Sequence, residues 1–498
     1  MRFPIVFFIL ISIFNFKATG QEINLVKGVI LDIDTQTELP YANITILHHE
    51  IGSVSNEKGI YALDISQLSE NDTALFQYLG YQQKKISISE LKKQSTVYLK
   101  EDIINLSEAF IFSNPPKALF IVKQIIKNKA QNYKSETSIN QTFIRRRTQS
   151  DIKKIRLKYK RNSIPGLNKN LLQILEQNIP KHNTSYTDFF GNIYFVKDNN
   201  EITIKLNPLK TISLKDKPIA ELDKIEETFN HLFEDTKDNE YWKIKTGIIG
   251  QTLNINNSDT INKKDSTKKE TNSYQTEISY FKRSIKQRWN YSLMNDEEKW
   301  DFLYNTRKYS YTLIGGTQVK GEDVYIIDFI PKASGKYIGR LYVSIATYAL
   351  IRADYKYDTG KTGTNIHLFG IGYTANNDAE SIYFEKEQDT YVLKYFSQKS
   401  NNIFSFDRNI SLIKKRKRFL FDKELFEMKM KFTITVATEE STEVLISRNT
   451  KITQQVFDNF KEPQFIKIIL VDQFNDQLWK NYPIIEPTEA MRKYKKQP

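Results

Sequence analysis

Histidine is the side chain best suited to chemistry here, because the 498 residues include five histidines and no cysteine. The absence of thiols excludes thiol catalysis, thiolate metal sites and disulfide bonds. Residues 231–234 (HLFE) have the His-x-x-Glu spacing of zinc peptidases, and His367 lies downstream as a third ligand. The tetrapeptide overlaps the end of a predicted amphipathic helix, Ala220–Phe233, and resembles no peptidase beyond its spacing. We therefore predict no metal ligand here, and keep His231 and Glu234 as first suspects for an unrecognised hydrolase.

The other motifs that could perform chemistry match their templates poorly. Residues 48–50 (HHE) have the wrong spacing for chelation, and adjacent strand residues point to opposite faces. Residues 360–362 (GKT) lack the first glycine of a phosphate-binding loop, and residues 370–375 (GIGYTA) precede polar residues instead of a helix. Glu385 and Glu387 share a strand face, which is more typical of a solvated edge than of a glycosidase pair. The sequence predicts no catalytic residue, no cofactor and no enzyme.

The N-terminus has the features of a secretory signal peptide. Arg2 supplies positive charge, residues 3–14 (FPIVFFILISIF) are mostly apolar, and residues 18–20 (ATG) place small side chains before Gln21. The apolar run is shorter than the roughly 20 residues that a membrane anchor requires. We expect cleavage after residue 20 and export to the periplasm or outer membrane of a gram-negative bacterium.

Positive charge is clustered along this basic chain, whose net charge is +14. The clusters are residues 145–147 (RRR), residues 153–161 and residues 414–418 (KKRKR). In a cytosolic protein such clusters would indicate nucleic-acid binding. In an exported protein, anionic glycans and lipid headgroups are the expected partners. We predict solvated basic faces, with an anionic membrane surface as a candidate partner and no nucleic acid.

Residues 22–112 have the alternation and turn spacing of a small all-β module. The predicted strands are Asn24–Asp34, Tyr41–Leu47, Ala74–Leu79, Lys85–Ile88, Thr96–Leu99 and Leu106–Phe112. Within residues 52–65 (GSVSNEKGIYALDI), the polar segment 55–59 contains a single acid, Glu57, which is too few for a calcium loop. We predict a hairpin there, with a positive φ angle or tight packing at Gly59. The side chains expected to face the core are Tyr61, Leu63 and Ile65.

The order of these motifs resembles the carboxypeptidase-regulatory-like domain, a transthyretin-like β-sandwich found at the start of many TonB-dependent outer-membrane receptors. The matching positions are Gly28, residues 40–42 (PYA), Val54, residues 59–61 (GIY), residues 80–81 (GY) and residues 106–108 (LSE). The resemblance implies a binding or interaction module. It implies no peptidase activity, because the peptidase residues are absent.

A linking helix is predicted over residues 114–133, with Leu119, Val122, Ile126 and Ala130 at helical spacing. Exported members of the resembled family often carry such a helix, ending in an Asn-Tyr pair, which Asn132 and Tyr133 match. Further helices are predicted over Leu167–Asn178, Ala220–Phe233 and Ile278–Trp289. Residues 254–273 are almost entirely polar and cannot bury enough surface to become ordered.

The rest of residues 138–498 is predicted to be a larger β-rich domain with helical insertions. Its predicted strands are Thr142–Arg147, Ile155–Tyr159, Val324–Ile330, Lys336–Ile345, Ala349–Tyr357, Ile366–Ile371, Ile382–Glu385, Thr390–Ser397, Lys429–Ala437 and Thr442–Ile446. Residues 337–339 (YIG) and 348–351 (YALI) resemble the half-barrel sheets of periplasmic lipoprotein carriers. The tyrosines crowded into residues 309–357 could stack on sugars or line a lipid cavity, and we predict mainly cross-strand packing.

These features predict a mainly β, non-enzymatic, exported binding or scaffolding protein of the cell envelope. The expected partners are an envelope protein, a glycan or a lipid, and a half-barrel would place the ligand on its concave face. Two alternatives stay open at this point. One is an outer-membrane β-barrel or a TonB-receptor-related component, and the other is the hydrolase with His231 and Glu234.

Overall fold

The computed structural model describes residues 24–49, 52–102, 116–133, 136–165, 168–198, 201–215, 236–237, 239–246, 249–253, 273–319, 321–479 and 482–495. Four predictions fall on residues outside these ranges: the signal peptide, the run 106–112, the helix 220–233 and nearly all of the polar segment 254–273. The described chain divides into two compact units. The N-terminal unit comprises residues 24–78, 82–100 and 475–482, and the larger unit comprises the others.

The N-terminal unit contains two antiparallel-rich sheets whose facing side chains form its core. Its elements are β1 (Leu25–Asp32), β2 (Asn43–Ile46), β3 (Gly52–Val54), β4 (Ile60–Asp64), β5 (Thr73–Gln77), β6 (Lys84–Ser87), α1 (Ile88–Leu91) and β7 (Thr96–Leu99). One sheet has the order β4-β1-β7 and the other the order β3-β2-β5-β6. The rings of Tyr61 and Phe76, one from each sheet, lie 5.3 Å apart. The predicted sandwich is confirmed.

The stretch 52–65 connects the two sheets and is not the predicted hairpin. Its flanking strands β3 and β4 belong to different sheets. Asn56 Oδ1 accepts hydrogen bonds from the backbone N–H groups of Lys58 (2.8 Å) and Ile60 (3.1 Å). Gly59 has a φ of +67°, and a Cβ there would lie 2.6 Å from a backbone oxygen. The prediction for Gly59 is therefore confirmed. The predicted core face is confirmed as well, because Tyr61, Leu63 and Ile65 are buried.

One sheet of fifteen strands dominates the larger unit. Its strands are β8 (Ser138–Asn162), β9 (His182–Asp198), β10 (Glu201–Lys215), β11 (Glu240–Thr246), β12 (Ile249–Leu253), β13 (Ser273–Glu277), β14 (Tyr309–Val319), β15 (Glu322–Pro331), β16 (Tyr337–Ser344), β17 (Leu350–Tyr357), β18 (Asn365–Leu368), β19 (Ile371–Glu387), β20 (Thr390–Arg416), β21 (Lys423–Lys451) and β22 (Phe465–Leu470). The main order is β13-β22-β10-β9-β8-β21-β20-β19-β17-β16-β15-β14, with β11 and β12 beside β20 and β18 beside β19.

Helices are few and mostly short in the described parts of the larger unit. They are α2 (Ala118–Lys127), α3 (Lys129–Asn132), α4 (Lys169–Asn178), α5 (Ile278–Ser292), α6 (Asp301–Tyr304), α7 (Gln454–Asn459) and α8 (Glu489–Lys493), with 3-10 turns at Thr306–Lys308 and, in the N-terminal unit, Asp476–Trp479. The predicted helices near α4 and α5 are confirmed. Within the described ranges, none of the helices combines the length and apolar character needed to cross a bilayer.

The linking helix forms, and two of the four residues at helical spacing face the core: Val122 is fully buried and Ile126 is partly buried. Ile121 and Ile125 are fully buried, whereas Leu119 and Ala130 are exposed. Leu119 is exposed because the helix packs through positions 118, 121, 122 and 125, and Ala130 lies beyond the end of this helix at Lys127. At its end, the side-chain amide of Asn132 donates to Thr347 O (2.9 Å), and the hydroxyl of Tyr133 donates to Leu350 O (2.6 Å). The Asn-Tyr pair thus anchors the helix to the β16–β17 turn.

Aromatic packing fills the core between the sheet and α6. Phe302 stacks on Phe329 with ring centroids 4.4 Å apart, and its edge meets Tyr355 at 4.7 Å. Tyr337 contacts the rings of Tyr355 and Tyr357 at 5.4 and 5.1 Å. The prediction that the crowded tyrosines are mainly packing residues is confirmed for these pairs.

Two strands, β20 and β21, are far longer than predicted. The sequence favoured strands at 390–397, 429–437 and 442–446, yet β20 and β21 pair continuously from Tyr395↔Leu445 to Arg416↔Lys423. Polar residues separated the predicted segments, but the ladder hydrogen bonds continue through them because neighbouring strands supply partners. We call residues 156–178, 239–253 and 407–433, where described, the arm. We call the rest of the larger unit the body.

Candidate ligand site

An apolar pocket lies in the body between helix α5 and the face of four adjacent strands. Its volume is about 180 Å³. Four strands form the floor, namely β20, β21, β8 and β9, which are neighbours in the sheet. Helix α5 forms the roof, and its Lys282 makes an ion pair with Glu462 at 2.7 Å. Both walls belong to the same compact unit.

Strand register arranges the floor of the pocket in two rows. The first row is apolar and crosses all four strands in the order Phe396, Val444, Ile144 and Phe189. The second row lies two residues further along each strand, about 7 Å away. It contains Thr442, Arg146 and Thr187. Because residues two apart point to the same face, an apolar surface passes directly into a polar one.

The roof is also divided into an apolar and a polar part, because α5 presents two adjoining stripes of side chains. Phe281, Ile285 and Trp289 follow at intervals of four and form the apolar stripe. Tyr280, Ser284 and Arg288 form the second stripe at the same spacing. The rings of Phe281 and Phe189 lie 6.2 Å apart and link roof and floor. The apolar stripe therefore covers the apolar row.

Two guanidinium groups mark the polar end of the pocket. Arg146 donates to Glu440 Oε1 at 3.2 Å and is half exposed. Arg288 donates from Nη1 to Ser284, while its buried Nε donates to no acceptor within the described chain. Burial, together with the positive charge of Arg146, lowers the pKa of Arg288. A buried donor without an acceptor costs free energy, so an anion at this position would be stabilised.

The pocket is large enough for one hydrocarbon chain end and too small for a whole lipid. A 150 Å³ apolar cavity holds a benzene ring, so 180 Å³ accommodates about seven carbon atoms. Pockets for complete drug-sized ligands are larger, roughly 300–1,000 Å³. The arrangement can therefore bury an alkyl or aryl group and hold an attached carboxylate or phosphate beside Arg288.

Among the described residues, those that the sequence singled out for chemistry do not come together. His231 and Glu234 lie outside the described residues, as does Glu50. His367 is exposed on β18, with its ring 3.1 Å from Thr374 Oγ1. His48 and His49 lie in an exposed turn. Among the parts of the chain that the structure describes, no cluster of three or more histidines and carboxylates could hold a metal ion.

Two further motifs have local structural roles. Gly360 lies in a turn with a φ of +76°, and residues 361–362 follow this turn as irregular chain. Residues 370–375 form a turn and the start of β19, as the sequence favoured over a dinucleotide fingerprint. Glu385 and Glu387 occupy one face of β19, and Glu387 pairs with Lys394 at 2.7 Å.

The basic cluster 145–147 is only partly the solvated face that was predicted. Arg145 is 4% exposed and makes a bidentate pair with Asp188, at 2.9 and 2.7 Å. Its Nη1 also donates to Ile485 O at 2.7 Å, which fixes the C-terminal segment. The prediction was wrong for Arg145 because strand alternation turns its side chain away from that of Arg146. Residues 153–161 do expose a basic face of β8, at positions 154, 156, 158 and 160.

The sequence does not single out the pocket residues. Arg146 belongs to the basic cluster 145–147, and Arg288 falls within the predicted helix Ile278–Trp289. One sequence pattern indicates the roof of the pocket. Phe281, Ile285 and Trp289 lie on one stripe of that helix, and an arginine lies on the adjoining stripe. The strand partners could not be found in this way, because Ile144, Phe189, Phe396 and Val444 meet only through the sheet register.

Comparison with known families identifies the N-terminal unit. The model of the CarboxypepD_reg-like domain matches residues 26–111. The chain therefore contains a carboxypeptidase-regulatory-like domain at these residues, as the motifs predicted. No curated protein matches the chain.

Solved structures give only weak similarity to the whole chain. MucB in complex with MucA(peri) matches at 10% identity over 65% of this chain and 94% of that chain, with a TM-score of 0.19. The MucA/MucB complex of Pseudomonas aeruginosa matches at 9% identity over 64% and 93%, with a TM-score of 0.18. A DUF1329 family protein from Desulfovibrio piger matches at 10% identity over 69% and 98%, with a TM-score of 0.17. Similarity at these TM-scores supports no inference about function.

Proposed function

We propose that this chain is a non-enzymatic, exported binding protein of the cell envelope, whose pocket binds one hydrocarbon chain carrying an anionic group. The observation that carries the proposal is the buried Nε of Arg288, which has no acceptor among the described residues, at the polar end of an apolar pocket. The apolar rows supply affinity in proportion to the area that the ligand removes from water. The guanidinium groups supply selectivity for the anion.

The expected selectivity follows from the energy of charge-assisted hydrogen bonds. Such bonds contribute about 1.5–3 kcal/mol each, which corresponds to roughly a 10- to 150-fold change in affinity. A neutral ligand of the same chain length leaves Arg288 without its acceptor. A cationic ligand adds repulsion from Arg288 and Arg146. The site should therefore prefer a carboxylate or phosphate over an alcohol, and an alcohol over an ammonium group.

Export and the role of the N-terminal unit belong to the same proposal. The charged, apolar and small-residue segments before Gln21 support cleavage by a signal peptidase. The carboxypeptidase-regulatory-like domain would then serve as an interaction module for another envelope protein. N-terminal sequencing of protein purified from the envelope fraction tests export. A mature chain that begins at Gln21 supports it, and an intact Met1 in a cytosolic fraction contradicts it.

Three probes that differ only in their end group test the pocket. Octanoate, octanol and octyltrimethylammonium have the same chain length, suited to about seven buried carbons. Isothermal titration of delipidated protein should rank them in that order. Arg288→Gln should reduce the affinity for octanoate at least tenfold and leave octanol almost unchanged. Val444→Phe should weaken all three, because the larger ring fills the apolar row.

Arg283→Gln is the matched control, since Arg283 is an exposed arginine on the same helix. It should leave all three affinities unchanged. Equal binding of the three probes, or an octanoate preference that survives Arg288→Gln, would contradict the proposal. Mass spectrometry of the purified protein then identifies the natural ligand class, and a co-purified glycan instead of an acyl chain would also overturn it.

A further inference from the structure

We infer that the turn at the end of the arm, residues 417–422, inserts into the surface of an anionic lipid bilayer. Three consecutive large apolar side chains project from this turn between β20 and β21. Phe419, Leu420 and Phe421 have exposed fractions of 101%, 79% and 85%. We call residues 417–422 the tip. The inference does not depend on the pocket, which lies elsewhere in the same unit.

The tip is held in place by specific contacts. Lys417 N donates to Asn239 O at 2.8 Å, and the hydroxyl of Tyr241 donates to Asp422 Oδ2 at 2.6 Å. Beneath the tip, a small core is formed by Ile164, Trp242, Leu412 and Met428. Contacts that order a turn while leaving its three apolar side chains in water are expected if those side chains meet an apolar phase in use.

Positively charged residues flank the three apolar side chains in the sequence. The cations are Lys414, Lys415, Arg416, Lys417, Arg418 and Lys423, against the carboxylates of Glu240, Asp422 and Glu424. Glu240 pairs with Lys414 at 3.1 Å and with Arg416 at 2.8 Å. Lys417, Arg418 and Lys423 are exposed beside the tip. A net excess of positive charge within a few residues of an apolar tip is complementary to anionic lipid headgroups.

The size of the tip favours a bilayer over a protein partner. A specific protein interface buries on the order of 1,000 Å² or more. Three side chains on a single projecting turn provide far less apolar surface than that. A bilayer imposes no such minimum, because side chains enter the boundary between headgroups and acyl chains one at a time.

Vesicle binding of the full chain tests the inference. Flotation with vesicles of neutral phosphatidylcholine, alone or mixed with one-quarter phosphatidylglycerol, should show binding to the anionic vesicles only, and binding should weaken in 0.5 M salt. Phe419→Ser/Leu420→Ser/Phe421→Ser should weaken binding to the anionic vesicles about a hundredfold, because three apolar side chains no longer enter the bilayer. Equal binding of this variant and the unaltered chain would overturn the inference.

The chain has no cysteine, so Leu420→Cys allows an environment-sensitive dye to be attached at the tip alone. Its emission should shift to the blue on anionic vesicles and be quenched by lipids labelled within the acyl region. Leu368→Cys is the matched control, since Leu368 and Phe369 are also exposed, at 59% and 76%, in a turn without a basic cluster. A blue shift at Leu368 but not at Leu420 would show that a different surface binds the membrane. Binding of vesicles with no shift at Leu420 would also contradict insertion of the tip.

Discussion

The body and the arm are built on the same two paired strands, β20 and β21, but they are stabilised in different ways. In the body, these strands contribute buried residues such as Phe396 and Val444 to a large core. In the arm, Met428 is the one buried residue of β21 between positions 423 and 433. A small core around the fully buried Trp242 and the ion pairs of Glu240 replace the large core there.

The difference shows that ladder hydrogen bonds can extend a sheet well beyond its main core, provided that a local cluster supports the far end. A two-stranded hairpin by itself is marginally stable in water. The arm adds β8 on one side and β11 on the other, so its two long strands both have outer partners. Stability in the arm should therefore be local, whereas stability in the body should be shared.

The largest effect is expected from replacing two fully buried tryptophans, one in the body and one in the arm. Trp300→Ala should lower the free energy of unfolding of the body by about 3–5 kcal/mol, the usual cost of removing a buried aromatic side chain. Trp242→Ala removes a side chain of the same size and burial from the arm. It should leave the main calorimetric transition in place and increase hydrogen exchange at residues 410–416 and 423–430. A large fall in the main transition temperature for Trp242→Ala would show that the two regions unfold together.

A smaller effect is expected from acid. Hydrogen bonds from Arg416 and Lys414 lower the pKa of Glu240 to about 2, from an ordinary value of 4.5. A lowered pKa in the folded state means that the stabilisation is present above pH 4.5 and is lost as the pH falls towards 2. Limited proteolysis of the arm should therefore accelerate between pH 4.5 and pH 2.5, measured with an acid-active protease. Glu240→Gln should be cleaved faster at neutral pH and show a flatter pH profile.

A buried carboxyl group in the body is expected to show the opposite pH dependence. Burial raises the pKa of Glu380 well above its usual value. The stability that Glu380 contributes is present below pH 4.5 and is lost as the pH rises towards its raised pKa. The body should thus keep this contribution in acid while the arm loosens. Identical acid sensitivity of the two regions would contradict the local role assigned to Glu240.

The smallest effect on stability is expected at the tip. The triple variant Phe419→Ser/Leu420→Ser/Phe421→Ser should change the free energy of unfolding by no more than about 0.5 kcal/mol, as is usual for exposed positions. Thermal and urea unfolding would measure this change. A loss of several kcal/mol would mean that the three side chains pack within the fold, which their exposure contradicts.

The sequence predicted the parts of this fold that depend on local patterns. The strands of the N-terminal unit follow from alternation, and the positive φ of Gly59 follows from the need for a sharp turn. The same alternation could not show that β3 and β4 belong to different sheets, since the choice of partner strand is a long-range contact. Helical spacing identifies only part of the buried face of α2, because apolar residues such as Leu119 and Phe120 also lie on its exposed side.

The candidate site depended even more on long-range contacts. Its floor joins residues that are up to 300 positions apart in sequence, from Ile144 to Val444. Arg145 and Arg146 are neighbours of the same type, yet one forms a buried ion pair and the other lies at the pocket. Neither composition nor charge pattern distinguishes these two arginines. They differ in the face of the sheet to which each side chain points from β8.

The β20–β21 hairpin separates the pocket from the tip along the sheet. From Val444 to Lys423, the 21 steps of β21 have a contour length of roughly 70 Å. One leaflet of a bilayer is only about 20 Å thick. If the hairpin stands upright on the membrane, a lipid that remains in that membrane does not reach the pocket. The hairpin would therefore act as a spacer, holding a bound ligand far from that membrane, and the pocket would be loaded from another source.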